Sequence, residues 1–171
     1  MENKLPLVSI CCITYNHEKY IRDAIEGFLM QQTNFDYEII IANDCSPDQT
    51  DSIVQEYINN HSKGKLIEYF RHEKNLGMIP NFIFALQQCK GKYIAICEGD
   101  DYWIDPYKLQ KQVDFLEENL EYDMVATDIN LIDENGRTLP DNIMVLKQRA
   151  NYKSTIVFFD LLKLNLINTL T

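Results

Sequence analysis

The stretch "CEGDDYWIDP", starting at Cys97, sets Asp100 and Asp101 side by side just after an apolar run and just before Tyr102 and Trp103, the chain's single tryptophan. Two carboxylates about 4 Å apart near a surface repel by roughly 4 kcal/mol at an effective dielectric near 20. Taken alone, an Asp-Asp dipeptide reads as a solvated loop or a helix cap. Behind a buried strand it has a further use, because a divalent cation relieves the repulsion. Carboxylate oxygens are hard ligands, and Mg2+ or Mn2+ held by one or two of them keeps positions open for phosphate oxygens. The chemistry on offer is a metal ion that in turn holds a diphosphate.

Other polar groups fall at comparable places. Thr14, Tyr15 and Asn16 follow the apolar run "LVSICCI", Asn43 and Asp44 follow "YEIIIA", and Arg71 and His72 follow "KLIEYF". In an open parallel sheet, ligands gather beyond the carboxyl ends of the strands, so these sets converge with Glu98, Asp100 and Asp101. Tyr15 offers an aromatic plate for a nucleobase, and Asp44 an acceptor for a ring N–H. The plainer reading of Asp44 is an Asx-turn ahead of the next helix. His17 reads as a helix-start residue and His72 as a surface one, since neither has metal-ligand spacing with a cysteine. Tyr102 and Trp103 read as packing residues. Asn75, Gly77 and Asn81 read as turn and cap residues.

The elements that position these groups are legible from periodicity. "LVSICCI" is continuously apolar, as expected of a parallel strand covered on both faces. In "HEKYIRDAIEGFLMQQ", Tyr20, Ile21, Ala24, Ile25, Phe28 and Leu29 form one helical stripe. "YEIIIAND" reads as a second strand. Ser46, Pro47 and Gln49 then supply an N-cap, an N1 proline and a capping-box partner for a helix burying Ile53, Val54, Tyr57 and Ile58. "KLIEYF" is a third strand, and Pro80 opens a helix with Phe82, Ile83, Leu86 and Cys89 inward, stopped by Gly91. "KYIAIC" is a fourth strand. Asp105-Pro106 starts a further helix with Leu109, Val113 and Leu116 inward, and "MVATDINLI" follows as a fifth strand. Asn135-Gly136 signals a tight reversal, and "STIVFFDLLKLNLINTLT" reads as a capped apolar helix. Asp128 and Asp133 read as strand-end and turn residues. This alternation predicts an α/β fold with a mostly parallel, Rossmann-like sheet flanked by helices.

The 171 residues fit one domain. A formal net charge of −10, from 16 Lys and Arg against 26 Asp and Glu, excludes general affinity for nucleic-acid backbone or anionic lipid. Five cysteines without close C-x-x-C spacing read as reduced core residues. The N-terminus "MENKLPLVSI" lacks a signal-peptide pattern and no window approaches a membrane span, so a cytoplasmic location is expected.

From Leu7 to about Asn119 the chain resembles the family-two glycosyltransferases, nucleotide-sugar enzymes of the A-type fold. "VSICCITYNHEKYIRDAIEGFLMQQ" looks like their first strand and helix, "YEIIIANDCSPDQT" like their acidic second-strand motif, and "GKYIAICEGDDYWIDPYKL" like their D-x-D region. The resemblance implies inverting transfer from a nucleoside-diphosphate sugar, such as a UDP-sugar, to a saccharide or lipid-linked saccharide acceptor in polysaccharide synthesis. It assigns Tyr15 to the base, Asp44 to its ring nitrogen, Thr14 and Asn16 to the base pocket, Asp100 to the ribose or diphosphate, and Asp101, with Asp100, to Mg2+ or Mn2+. It also implies a donor-binding half over about 5–120 and a partial acceptor region over about 121–171, and peripheral attachment of a longer parent at the inner face of the cell membrane. The chain departs from the family pattern at Ile13, where many relatives carry Pro, at "NFIFAL" in place of an A-R-N segment, and at Glu98 in the first D-x-D position. No counterpart of the catalytic base is found.

Two other classes fit less well. A phosphoryl-accepting receiver would want acids after its first strand and an Asp after its third, where this chain has "TYN" and "RH". A nucleotidyltransferase would want a Gly-rich loop near the first strand. A catalytically incomplete nucleotide-binding module is the remaining alternative.

Overall fold

The computed structural model describes residues 5–127, 129–133 and 136–138. They fall into two compact units, one ending at Asp123 and the other starting at Met124. The first contains four strands, β1 (Val8–Thr14), β2 (Tyr37–Asn43), β3 (Ile67–Arg71) and β4 (Tyr93–Ile96), and four helices, α1 (Ile21–Leu29), α2 (Thr50–Asn60), α3 (Met78–Gln88) and α4 (Lys108–Glu118). All strand pairs are parallel, in the order β3-β2-β1-β4.

That order explains the burial. Successive side chains of a strand point to opposite faces. Val8, Ile10 and Cys12 of β1, with Ile39 and Ile41 of β2, pack against Ile21, Ile25 and Phe28 of α1, Val54 of α2 and Leu109 of α4. Cys11 and Ile13, with Ile40 and Ala42, pack instead against Ala85 of α3 and its neighbouring phenylalanines. A strand with a helix on each face must be apolar at every position, and every residue of β1 is buried. From β1 the chain winds outward through β2 to β3, then returns to place β4 on the other side of β1. Right-handed crossovers put helices from opposite winding directions on opposite faces, which is why α3 lies alone across the sheet from α1 and α2. The reversal opens a crevice at the carboxyl ends of β1 and β4.

Several local expectations are corrected. The α3 stripe runs through the buried Asn81 and Ala85, while Ile83 is exposed, because small side chains let the helix sit close to β1 and β2. Gly91 lies beyond the helix, which ends at Gln88. A Cβ on Gly91 would stand 2.5 Å from Ser9 N, and both Lys90 N–H and Gly91 N–H donate to Ser9 Oγ, at 3.0 and 2.8 Å. Gly91→Ala is therefore expected to push β1 and the approach to β4 apart and lower stability by about 1–3 kcal/mol, read in chemical denaturation.

The fifth strand does not form over the described residues of "MVATDINLI", a run interrupted by Asp and Asn, both depleted in strands. Ile132 makes a single antiparallel bridge to Thr138, with Asp133 N–H donating to Arg137 O at 2.9 Å and Gly136 at φ 74°. The expectations on Asp128, Asn135 and the C-terminal apolar stretch lie outside the described residues. Among the described residues no helix is long and apolar enough to cross a membrane.

Candidate active site

At the end of β1 the chain turns sharply, with Asn16 in the left-handed region at φ 62°. Three successive backbone N–H groups there are taken by side chains of the loop after β2 and of the first residue of α2. Asn16 N–H donates to Ser46 Oγ at 3.0 Å, His17 N–H to Thr50 Oγ1 at 3.0 Å and Glu18 N–H to Asp48 Oδ2 at 2.9 Å. Gln49 N–H donates back to Glu18 Oε2 at 3.0 Å. Ser46 is thus not the N-cap that local spacing predicts. Helix α2 begins later, at Thr50, whose N–H donates to Asp48 Oδ1 at 3.0 Å. The clasp leaves Tyr15 45% exposed at the strand end, available as a stacking surface.

Asp44 is 2% exposed, and its N–H donates to Thr14 O at 2.9 Å. Its carboxylate reaches across to the loop before α3 and accepts Leu76 N–H at 2.7 Å and Gly77 N–H at 2.8 Å, with Gly77 at φ 90°. The Asx-type bond expected of Asp44 is made by Asn43, whose Oδ1 accepts Ser46 N–H at 2.8 Å. Between these two anchors Cys45 is held at φ 61°. An L-residue pays roughly 1–2 kcal/mol there, partly offset in glycine by its greater unfolded entropy. Cys45→Gly is accordingly expected to stabilise the chain by about 0.5–1 kcal/mol, seen as a raised melting temperature.

Beyond β4 the backbone keeps pairing with β1, through Cys97 N–H to Cys11 O at 3.2 Å and Gly99 N–H to Ile13 O at 2.9 Å. This carries Glu98, Asp100 and Asp101 to the crevice. Burial, then the Asp100 charge, pushes the Asp101 carboxyl up to about 6. Burial, then Asp100 and Asp101, also raises Glu98. Asp100 Oδ1 is buried and unpartnered among the described residues, as are Thr14 Oγ1 and His17 Nδ1. A Cβ on Gly99 would stand 2.7 Å from Thr14 Oγ1 and 3.0 Å from His17 Nδ1, so the glycine is what lets the acidic loop close on β1. His17 Nε2 lies 3.7 Å from Asp100 Oδ2. Burial lowers the His17 imidazole from its ordinary value, against the opposing pull of Asp100 and Asp48.

The structure thus closes Gly99 on Thr14, brings Asp100 with its neighbour Asp101 to His17, places Tyr15 and Asn16 on the adjoining turn, and turns the Asp44 carboxylate toward the third loop. His72 points away from this set, with Nε2 2.9 Å from Asn81 Oδ1. His17 and the Ser46, Asp48 and Thr50 clasp are not evident from sequence spacing. The alternation of oxygen-bearing side chains in "SPDQT" is the signal that could have pointed to the clasp. A hollow of about 400 Å3 lies at the opposite end of the sheet, around Phe35, Tyr37 and Leu66. A parallel sheet presents its ligand-binding loops at the carboxyl ends, and the polar groups converge there.

A crowded set of desolvated carboxylates with a buried orphan oxygen suits a hard cation. Among the described residues no three His, Cys, Asp or Glu side chains form a ready-made cage. Asp100 and Asp101 offer the two-carboxylate arrangement that leaves an ion open to a ligand's oxygens.

The model for glycosyl transferase family 2 matches residues 9–168. The chain belongs to this family. It is 42% identical over 129 residues to an uncharacterized protein of Mycobacterium tuberculosis, covering 75% of this chain and 37% of that one. It is 36% identical over 118 residues to the putative teichuronic acid biosynthesis glycosyltransferase TuaG of Bacillus subtilis, covering 69% of this chain and 45% of TuaG. TarS of S. aureus, crystallised in complex with UDP-GlcNAc, superposes with a TM-score of 0.57 at 30% identity, over 66% of this chain and 32% of TarS. The family 2 chain has the glycosyltransferase A-type architecture, and it spans less than half the length of these relatives.

Proposed function

We propose that this chain is the donor-binding part of an inverting glycosyltransferase that moves a sugar from a UDP-sugar to a hydroxyl of a saccharide or lipid-linked saccharide in polysaccharide synthesis. The observation that carries this reading is the closure of the Glu98–Asp101 segment onto the end of β1 through Gly99 N–H and Ile13 O, which sets Gly99 against Thr14 and His17 and brings Asp100 to 3.7 Å from His17. The family match and the likeness to TarS, a UDP-GlcNAc binder, support it.

In this reading Tyr15 stacks on the base, and Thr14 and Asn16 wall its pocket. Asp44 takes the ring N–H on a lone pair left over from its two loop bonds, since an ionised carboxylate accepts about four. Asp100 faces the ribose or diphosphate, and Asp101, with Asp100, holds Mg2+ or Mn2+. When bound, that ion supplies positive charge to the departing diphosphate. The acceptor oxygen forms a bond to the anomeric carbon as the bond to the diphosphate oxygen breaks, and the hydroxyl proton passes to a carboxylate base that the described residues do not identify.

Calorimetric titration of the chain with UDP in Mn2+, and again after EDTA, tests the donor site. Binding in Mn2+ that weakens at least roughly ten-fold in EDTA is expected, because an ion held by Asp101 and Asp100 would supply positive charge to the diphosphate. UDP binding that ignores EDTA, or no binding in either buffer, overturns the reading.

A further inference from the structure

We infer that His17 is a sugar-hydroxyl-binding residue, its ring N–H and the Asp100 carboxylate forming a donor and acceptor pair that takes one hydroxyl of the nucleotide sugar. This rests on the proposed donor site and adds to it a residue and a chemical specificity.

The backbone that carries the imidazole is fixed at the strand end. Its own N–H is held by Thr50, those of its two neighbours by Ser46 and Asp48, and its carbonyl accepts Tyr20 N–H and Ile21 N–H, each at 2.9 Å, at the start of α1. The side chain is 20% exposed and that of Asp100 22%. Their 3.7 Å separation is too long for a direct hydrogen bond, and it is a gap that an oxygen about 2.8 Å from each atom bridges. On the inner side, Nδ1 is buried beside Gly99 with Thr14 Oγ1, and Thr14 itself is 2% exposed. Nδ1, Thr14 Oγ1 and Asp100 Oδ1 are all buried without a hydrogen-bond partner among the described residues. Buried polar atoms are almost always paired, so three exceptions at one strand end mark a cluster not arranged for its own packing alone, and the side it leaves open to a ligand is the outer one, between Nε2 and Oδ2.

The chemistry selects the ligand. Asp100 can only accept, and an imidazole with its proton on Nε2 donates, so the bridging group must do both. A phosphate oxygen accepts only, and its charge opposes that of Asp100. A hydroxyl satisfies both sides. A nucleotide sugar carries hydroxyls in two places, on the ribose and on the transferred sugar, and the same pair suits either.

The experiment separates these sources. UDP, 2′-deoxy-UDP, 3′-deoxy-UDP and UDP-glucose are titrated, in Mn2+, into the wild-type chain and into His17→Phe, His17→Gln and His17→Asn. Gln retains an N–H where Nε2 lies, Asn places its nitrogen nearer the Nδ1 position, and Phe keeps the ring without either. If the ribose is the source, the wild type loses roughly ten-fold for one deoxy analogue, His17→Phe and His17→Asn lose that discrimination, and His17→Gln keeps it. If the transferred sugar is the source, the same pattern appears in the ratio of UDP-glucose to UDP. Should His17→Phe fail to fold, the comparison of Gln with Asn carries the test. Ratios in the variants equal to those of the wild type overturn the inference while leaving the donor site intact. A wild type without affinity for any of the four overturns the donor site and this inference together.

Discussion

In Asp101→Asn, UDP affinity measured in Mn2+ is expected to fall on the order of 100-fold, at the upper end of what loss of even an outer partner costs a metal site, while the metal-free chain becomes more stable. Both effects have one cause. The Asp101 carboxyl stands at about 6 in the folded chain against an ordinary 3.8, because burial and then the Asp100 charge disfavour its ionised form. A carboxyl raised by folding favours the folded state at low pH, where it is protonated in both states. That advantage is lost as pH rises from about 4 through about 6. At neutral pH the metal-free fold therefore carries an ionised group it would rather not hold. Asp101 is only partly buried, so solvent screening reduces the effect to about 1 kcal/mol. Denaturant melts of both chains in EDTA between pH 4 and 8 should show the curves diverging from about pH 4 to about pH 6 and running parallel above that, with the Asn chain higher. Coincident curves would mean that the carboxylates are not crowded. Glu98, raised by burial and then by Asp100 and Asp101, also lowers wild-type stability as pH rises, and it does so less in the Asn chain, which widens the difference in the same sense.

Phe28→Ala is expected to cost about 3–5 kcal/mol, since a fully buried aromatic leaves a cavity that the surrounding structure only partly fills. Phe28 is 0% exposed, and its ring meets that of Trp103 edge to face with centroids 5.1 Å apart. One residue earlier, a Cβ on Gly27 would stand 2.9 Å from Trp103 N, so helix α1 and the segment after Asp101 are in backbone contact. Trp103 is thus the anchor of the acidic loop on the core. As the only tryptophan, it gives a fluorescence signal assignable to that loop. The variant should show a lower denaturation midpoint with an altered emission maximum before unfolding. Loss of stability without a change in native emission would argue that the loop is held elsewhere, for instance by Lys108, whose Nζ lies 5.1 Å from the Trp103 ring centroid.

Much of the site follows from local pattern. The apolar runs identify the four parallel strands, with a fifth expected that does not form over the described residues. The strand-end rule gathers Thr14, Tyr15, Asn16, Asn43, Asp44, Arg71, His72, Glu98, Asp100 and Asp101 without any coordinates, and from these the family resemblance picks the candidate ligand residues. Sequence reading fails where the partner lies far along the chain. Ser46 has every local mark of an N-cap, yet its hydroxyl goes to Asn16, 30 residues away, because a strand that turns at φ 62° leaves N–H groups that nothing nearby can satisfy. Asp44 likewise bonds to Leu76 and Gly77 rather than to its own turn. Gly91, which reads as a helix stop, is needed where two backbones nearly touch.

Hydrophobic periodicity is a property of neighbours three, four or two residues apart, so the chain by itself determined its strands, its helices and the order of polar groups at their ends. Which of those groups share a proton, face one another or go unpaired depends on distances between loops that only the assembled sheet sets. His17 shows the division: beside Asn16 it is an ordinary helix-start residue, and 3.7 Å from Asp100 it becomes part of a site.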